Sequence, residues 1–203
     1  GSAGWLRRYA GGKPHAVLPV FSTIGEPDTF AQVRLPRIIV FGSPGLRRAT
    51  YQAAGDRLFT WARQASLELH DIGAPIQDVR LNAAFQANRV VQHGRLADHE
   101  IRILMGNALF GLVAYPVEYV AKSSVFAAYC AHGLCPILFS EKYYVTDGLI
   151  LGEHYLRDIP GASGLADYHS IRKAAWLWYQ AHNLSRHQTT IKDLIMQSQA
   201  CSC

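Results

Sequence analysis

At 203 residues, 49% of them hydrophobic and 17% charged, the chain has enough apolar content for a sizeable core. That excludes a disordered chain and points to one domain, or one domain plus a tail. The formal charge of +5 admits anionic partners such as nucleotides, but the basic runs stop at Arg7-Arg8 and Arg47-Arg48. A nucleic-acid footprint is therefore not expected.

No stretch approaches the ~20 continuous apolar residues of a membrane span, and no secretory signal is visible, so a cytoplasmic protein is expected. The four cysteines, Cys130, Cys135, Cys201 and Cys203, fit no standard zinc spacing and read as reduced thiols. The opening Gly1-Ser2-Ala3-Gly4 lacks a methionine and reads as a cut end.

In chain order, residues 1–30 read as a lead-in and linker. RIIVFG (Arg37–Gly42) is a short β-rich run closed by glycine. After the loop SPGLRR, a helix is predicted with Leu58, Trp61, Ala62, Ala65 and Leu69 on one face. HDIG (His70–Gly73) and NRVVQHG (Asn88–Gly94) predict the second and third strands. Asp98 is the expected N-cap of a helix carrying Ala97, Ile101, Leu104, Met105 and Ala108. GLVAYP (Gly111–Pro116) predicts a fourth strand, and CPILF (Cys135–Phe139) a fifth. Between them lies an apolar helix that begins near Lys122-Ser123-Ser124.

A loop-rich stretch follows, then two helices around Ile171, Ala174, Ala175 and Trp178 and around Ile191, Leu194 and Ile195. Short apolar strands separated by helices predict an α/β, Rossmann-like open parallel sheet of about five to six strands, flanked by helices and followed by C-terminal helices. The expected division is a lead-in at 1–30, a Rossmann-like domain at 31–165 and a helical tail at 166–203.

Ligands of open parallel sheets bind beyond the carboxyl ends of the strands, and three features fall there. The first is FGSPGLRR, where Gly42 and Gly45 allow a tight turn and Arg47 and Arg48 supply anion partners. It matches neither G-x-G-x-x-G nor a P-loop. The second is the turn after Gly94, placed to line a base pocket; His93 and His99 there read as surface or cap histidines. The third is the apolar helix, whose start offers free N–H groups and the positive end of its dipole. Lys122 and the hydroxyls of Ser123 and Ser124 complete a diphosphate cradle, in competition with plain N-capping by either serine. His132, just before Gly133, reads as a C-terminal helix cap.

These loops, in this order, resemble the C-terminal, donor-binding half of GT-B glycosyltransferases. The similarity runs from about LPVFSTIGEPD through DGLILGEHYL, with AAYCAHGLCPIL in the place of the A-x-G-x-P-v segment. Bacterial members carrying YP…KS…FAAYCAHG are more similar than the common retaining families.

The resemblance implies a domain that holds a nucleoside-diphosphate sugar without a metal or other cofactor. Gly42, Ser43, Arg47, Lys122 and Ser123 would meet the diphosphate, and Gly94, Arg95 and Leu96 the base and ribose. The paired glutamates of many retaining members fall here at about Val120 and Ala128, which leaves Glu118 as the contact for a sugar hydroxyl. The partners implied are the nucleotide sugar, a sugar, natural-product or polysaccharide acceptor, and a missing N-terminal acceptor domain; no residue stands out as catalytic base. Two other readings are a non-catalytic interaction domain on the same half-fold, which could dock through Trp176, Trp178 and Tyr179, and a GT-B epimerase, whose carboxylates have no counterparts here.

Overall fold

The computed structural model describes residues 15–160 and 168–200. The cut end at Gly1–Gly4, Arg7-Arg8, Cys201, Cys203 and the expected boundary at 165/166 lie outside the described residues. The elements run β1 (Leu35–Phe41), α1 (Pro44–Ala54), α2 (Asp56–Gln64), β2 (Glu68–Ile72), α3 (Val79–Ala87), β3 (Val91–Gly94), α4 (Asp98–Gly106) and β4 (Ala108–Ala114). A 3₁₀ segment (Val117–Lys122), α5 (Ser124–Ala131), β5 (Cys135–Phe139), α6 (Tyr168–Gln180) and α7 (Leu184–Ala200) complete the fold.

All strand pairs are parallel, in the order β3-β2-β1-β4-β5. The chain works outward from β1 to β3, then returns to lay β4 on the other side of β1. The resulting switch point between β1 and β4 is where open α/β sheets place their ligands.

Both faces of the sheet are covered, which is why β1 reads as a continuous apolar run: Ile38, Ile39 and Val40 are all fully buried. One face packs under α1, α2 and α3 through Tyr51, Leu58, Trp61 and Phe85. The other packs under α4 and α5 through Ile101, Met105, Phe126 and Tyr129. Every residue from Val125 to Ala131 is buried, so α5 is apolar all round because it is enclosed all round. Burial of each large aliphatic or aromatic side chain contributes about 1.5–3 kcal/mol.

Tyr129 lies flat on Gly111, where an added Cβ would meet the ring at 2.5 Å. Its hydroxyl accepts from Phe41 N at 3.0 Å and donates to Leu112 O at 3.0 Å.

Several boundaries differ from expectation. The helix expected through Leu69 is two helices broken at Gly55, and Leu69 belongs to β2. Helix α3 was not foreseen; Phe85 is its only buried residue, too little apolar signal for a period to show. Ala108 opens β4 instead of closing a helix, and Ala97, not Asp98, is the N-cap of α4, its amide donating to the Glu100 carboxylate at 2.9 Å.

The lead-in packs as part of the domain over residues 20–26. Val20 N donates to Ala121 O at 2.8 Å, Ile24 is buried, and Glu26 accepts from Tyr179 Oη and from Leu184 N. Of the tail aromatics, Tyr179 is fully buried and Trp178 donates to Asp147 O at 2.9 Å.

At the amino-terminal rim, two guanidinium groups gather helix ends. Arg34 donates to Met105 O, Gly106 O and His132 O, and Arg172 to Gly133 O and Ala31 O. All but Ala31 O are carbonyls at the C-terminal ends of α4 and α5. His132 caps α5 as expected, its Nδ1 2.9 Å from Ala128 O.

Candidate functional site

The carboxyl ends of β1, β2 and β3 form a row joined by their glycines. Gly94 O accepts from Gly73 N at 2.9 Å, and Gly42 N donates to Ile72 O at 3.3 Å. Gly73 has φ +145° and lies so close that a Cβ there would overlap Gly42 O and stand 2.8 Å from Arg47 Nε. Gly42 in turn faces α5: a Cβ on it would meet Val125 Cγ2 at 3.2 Å. The first loop, the turn after Gly94 and the start of the central helix are thus one continuous rim. Gly73 was missed in the sequence, although it closes HDIG as Gly42 closes RIIVFG.

At α5 the two serines divide the roles that had been in competition. Ser123 is buried and its Oγ accepts from Phe126 N at 3.2 Å, which makes it the N-cap. The hydroxyl of half-buried Ser124 and the first-turn amides of Ser124 and Val125 have no acceptor or donor partner among the described residues. Lys122 is exposed immediately before them, its ammonium 5.5 Å from the Tyr119 ring centroid. A cation, a hydroxyl and two amides thus lie together at the positive end of a helix, groups whose chemistry suits an anion.

The first loop contributes less than its composition promised. Pro44 has no N–H, and Ser43 Oγ takes the amide of Leu46 at 3.3 Å as the N-cap of α1. Ser43 and Gly45 are exposed, and Gly45 has open space around it.

Arg47 corrects the sequence reading outright. It is fully buried, with Nε donating to Gly42 O at 3.1 Å, Nη2 to Ala74 O and Nη1 paired with Asp71. Tyr51 Oη donates to the other Asp71 oxygen at 3.0 Å. Position 47 lies one turn into α1, on the side that faces the sheet, so its guanidinium braces the ends of β1 and β2 and offers nothing to a ligand. Arg48 is turned toward Gln77 O and Asp78.

In the turn after Gly94, Arg95 is exposed and Leu96 half-buried against the core. His93 Nε2 stands 2.9 Å from His70 Nδ1, and His70 Nε2 lies 3.3 Å from Glu68. Burial lowers the pKa of both histidines below the ordinary value. His99 is exposed on α4.

Glu118 is exposed on the 3₁₀ segment and lines a cleft of about 340 Å³ beyond the ends of β4 and β5, with Tyr115, Pro116, Phe139, Ser140 and Glu141 among its neighbours. Among the described residues no group of three or more His, Cys, Asp or Glu side chains is arranged to hold a metal ion. No helix there is long and apolar enough to cross a membrane.

No protein-family model and no curated protein matches the sequence. Solved structures do. The pneumococcal O-GlcNAc transferase GtfA, in complex with UDP and GlcNAc, superposes with a TM-score of 0.62 at 13% identity, over 96% of this chain and 43% of that one. The GtfA/B complex gives 0.60 at 16% identity, over 97% and 43%. AviGT4, a glycosyltransferase involved in avilamycin A biosynthesis, gives 0.57 at 14%, over 95% and 60%.

The fold is that of a GT-B glycosyltransferase domain. The chain spans less than two thirds of the length of each of these transferases, and the likeness at such identities is one of fold.

Proposed function

We propose that this GT-B domain binds a nucleoside-diphosphate sugar and works as the donor-binding half of a glycosyltransferase. The observation that carries the reading is the meeting of the glycine row with the start of α5, where Lys122, Ser124 and two unpartnered amides converge. The diphosphate would rest between the Gly42–Gly45 loop and that helix start, the base beside Gly94–Leu96, and the sugar toward Glu118. Lys122 and the helix dipole would stabilise the negative charge of the departing diphosphate, without a divalent ion.

An acceptor-binding half would complete the enzyme. That half is a partner in this proposal, as are the nucleotide sugar and the acceptor. Titration calorimetry with UDP, GDP, ADP and dTDP, with and without EDTA, tests the reading. Micromolar binding of one of them, weakened by Lys122→Ala and indifferent to EDTA, is the expected result; a folded chain that binds none would sink it.

A second reading has one observation in its favour. Ile191, Leu194 and Ile195 line an apolar groove along α7, and Ile191, Ile195 and Met196 are more than half exposed. A domain that docks a protein through α7 and has given up catalysis would show that groove and bind no nucleotide.

A further inference from the structure

The cleft beyond β4 and β5 is built more carefully than a gap between loops needs to be. Ser140 Oγ accepts from Val117 N at 3.0 Å, and Ser140 N donates to Tyr143 Oη at 3.0 Å. Tyr143 Oη donates in turn to Leu138 O at 3.0 Å. The loop after β5 is thereby tied to the start of the 3₁₀ segment on one side and to its own strand on the other. Glu141 and Lys142 sit between those two anchors, and both are exposed into the cleft that Glu118 lines from the loop after β4.

The lining has a definite chemistry. Two carboxylates from different loops, Glu118 and Glu141, can each accept two or more hydrogen bonds from a ligand, and Lys142 can donate. Their charges leave one negative charge in excess, which repels an anionic ligand. Tyr115 and Phe139 add aromatic surface to the same lining. Carboxylate acceptors beside aromatic faces suit a ring with hydroxyls on its edge and C–H bonds on its faces.

The 3₁₀ segment links this cleft to the start of α5. Glu118 and Lys122 lie four residues apart on it, roughly 8 Å along the axis at about 2 Å per residue. The same short element thus offers an acceptor at one end and a cation at the other.

We propose that this cleft, where the donor reading puts the sugar, takes an uncharged, hydroxyl-rich ring in preference to a uronate, and that Glu141 is a second specificity-determining carboxylate beside Glu118. The inference rests on the donor-binding reading above.

Calorimetry of the 203-residue chain with UDP, GDP, ADP and dTDP and with the glucose conjugate of each supplies the test, followed by the glucuronate conjugate of whichever base binds. The glucose conjugate is expected to bind more tightly than its bare diphosphate. Glu141→Gln should weaken the glucose conjugate about tenfold and leave the bare diphosphate unchanged. The glucuronate conjugate should bind less tightly than the glucose conjugate, and the difference should shrink in Glu141→Gln. A variant that weakens both ligands equally, an unaltered ratio, or a preference for the glucuronate would overturn the sugar subsite while leaving the donor reading standing. Failure of every bare diphosphate to bind would overturn both.

Discussion

Gly73 and Gly42 touch backbone to backbone across the ends of β2 and β1, with no room for a methyl group between them. Gly73→Ala would place a Cβ against Gly42 O and Arg47 Nε at φ +145°, a backbone conformation that L side chains rarely adopt. Overpacking and backbone strain together are expected to cost about 3 kcal/mol or more. Gly45→Ala, in open space in the first turn of α1 and with no positive φ to satisfy, should leave the melting temperature unchanged or raise it slightly. Thermal unfolding of the two variants makes the comparison, and equal melting temperatures would refute it.

Arg47 is a structural residue in this fold, so its removal should show first in stability. Arg47→Met leaves Asp71 buried beside Tyr51 without its cation and is expected to cost about 3–5 kcal/mol in urea unfolding. The double variant Arg47→Met, Asp71→Asn should recover a large part of that loss, because the cost lies mainly in the stranded carboxylate. Absence of any recovery would show that the packing of Arg47, not its charge, matters.

Ser123 and Ser124 should separate capping from binding. Ser123→Ala removes the N-cap of α5 and is expected to lower stability by about 1 kcal/mol. Ser124→Ala should leave stability within about 0.5 kcal/mol and weaken nucleoside diphosphate binding several-fold. Paired melting and titration experiments on both variants check the division; the reverse pattern would exchange the roles.

Four histidines make the fold sensitive to acid. Burial pushes His132 and His182 down to about 4, and lowers His70 and His93 as well. A pKa that falls on folding means that the unfolded chain takes up the proton first. Stability is therefore full above the ordinary histidine value of 6.5 and is lost as pH falls toward 4. For His132 alone the loss is roughly 3 kcal/mol. Urea unfolding at pH 7.5, 6 and 4.5 should show it, with a shallower decline in His132→Asn. A profile flat over that range would contradict the burial of these rings.

Much of the sheet was legible because its strands are short apolar runs punctuated by glycine or proline, as in RIIVFG and GLVAYP. The site was legible only as far as local chemistry reaches. Lys122-Ser123-Ser124 announces a polar helix start, yet which serine caps and which stays free depends on where the 3₁₀ segment ends. Arg47 misled because sequence reveals a guanidinium but not its direction, and its partner Asp71 lies 24 residues away, on β2. Gly73 was hidden for a similar reason: what makes it necessary is the approach of Gly42. The carboxylate of Glu141 carried no signal at all until β5 was seen to end beside β4.

The hydroxyl of Tyr129 acts as a spacer in the sheet. The ladder between β1 and β4 has its last backbone pairing at Val40 and Leu112, and there one phenolic oxygen spans the amide of Phe41 and the carbonyl of Leu112. The two halves of the sheet are therefore coupled at their upper end by a side-chain rotor anchored in α5. The width of the crevice mouth is thus set from inside the core. A change at position 129, or at Gly111 beneath it, would widen or narrow the mouth without altering any residue on the rim. Evolution of such a domain toward a larger or smaller ligand thus has a route that leaves the binding groups untouched.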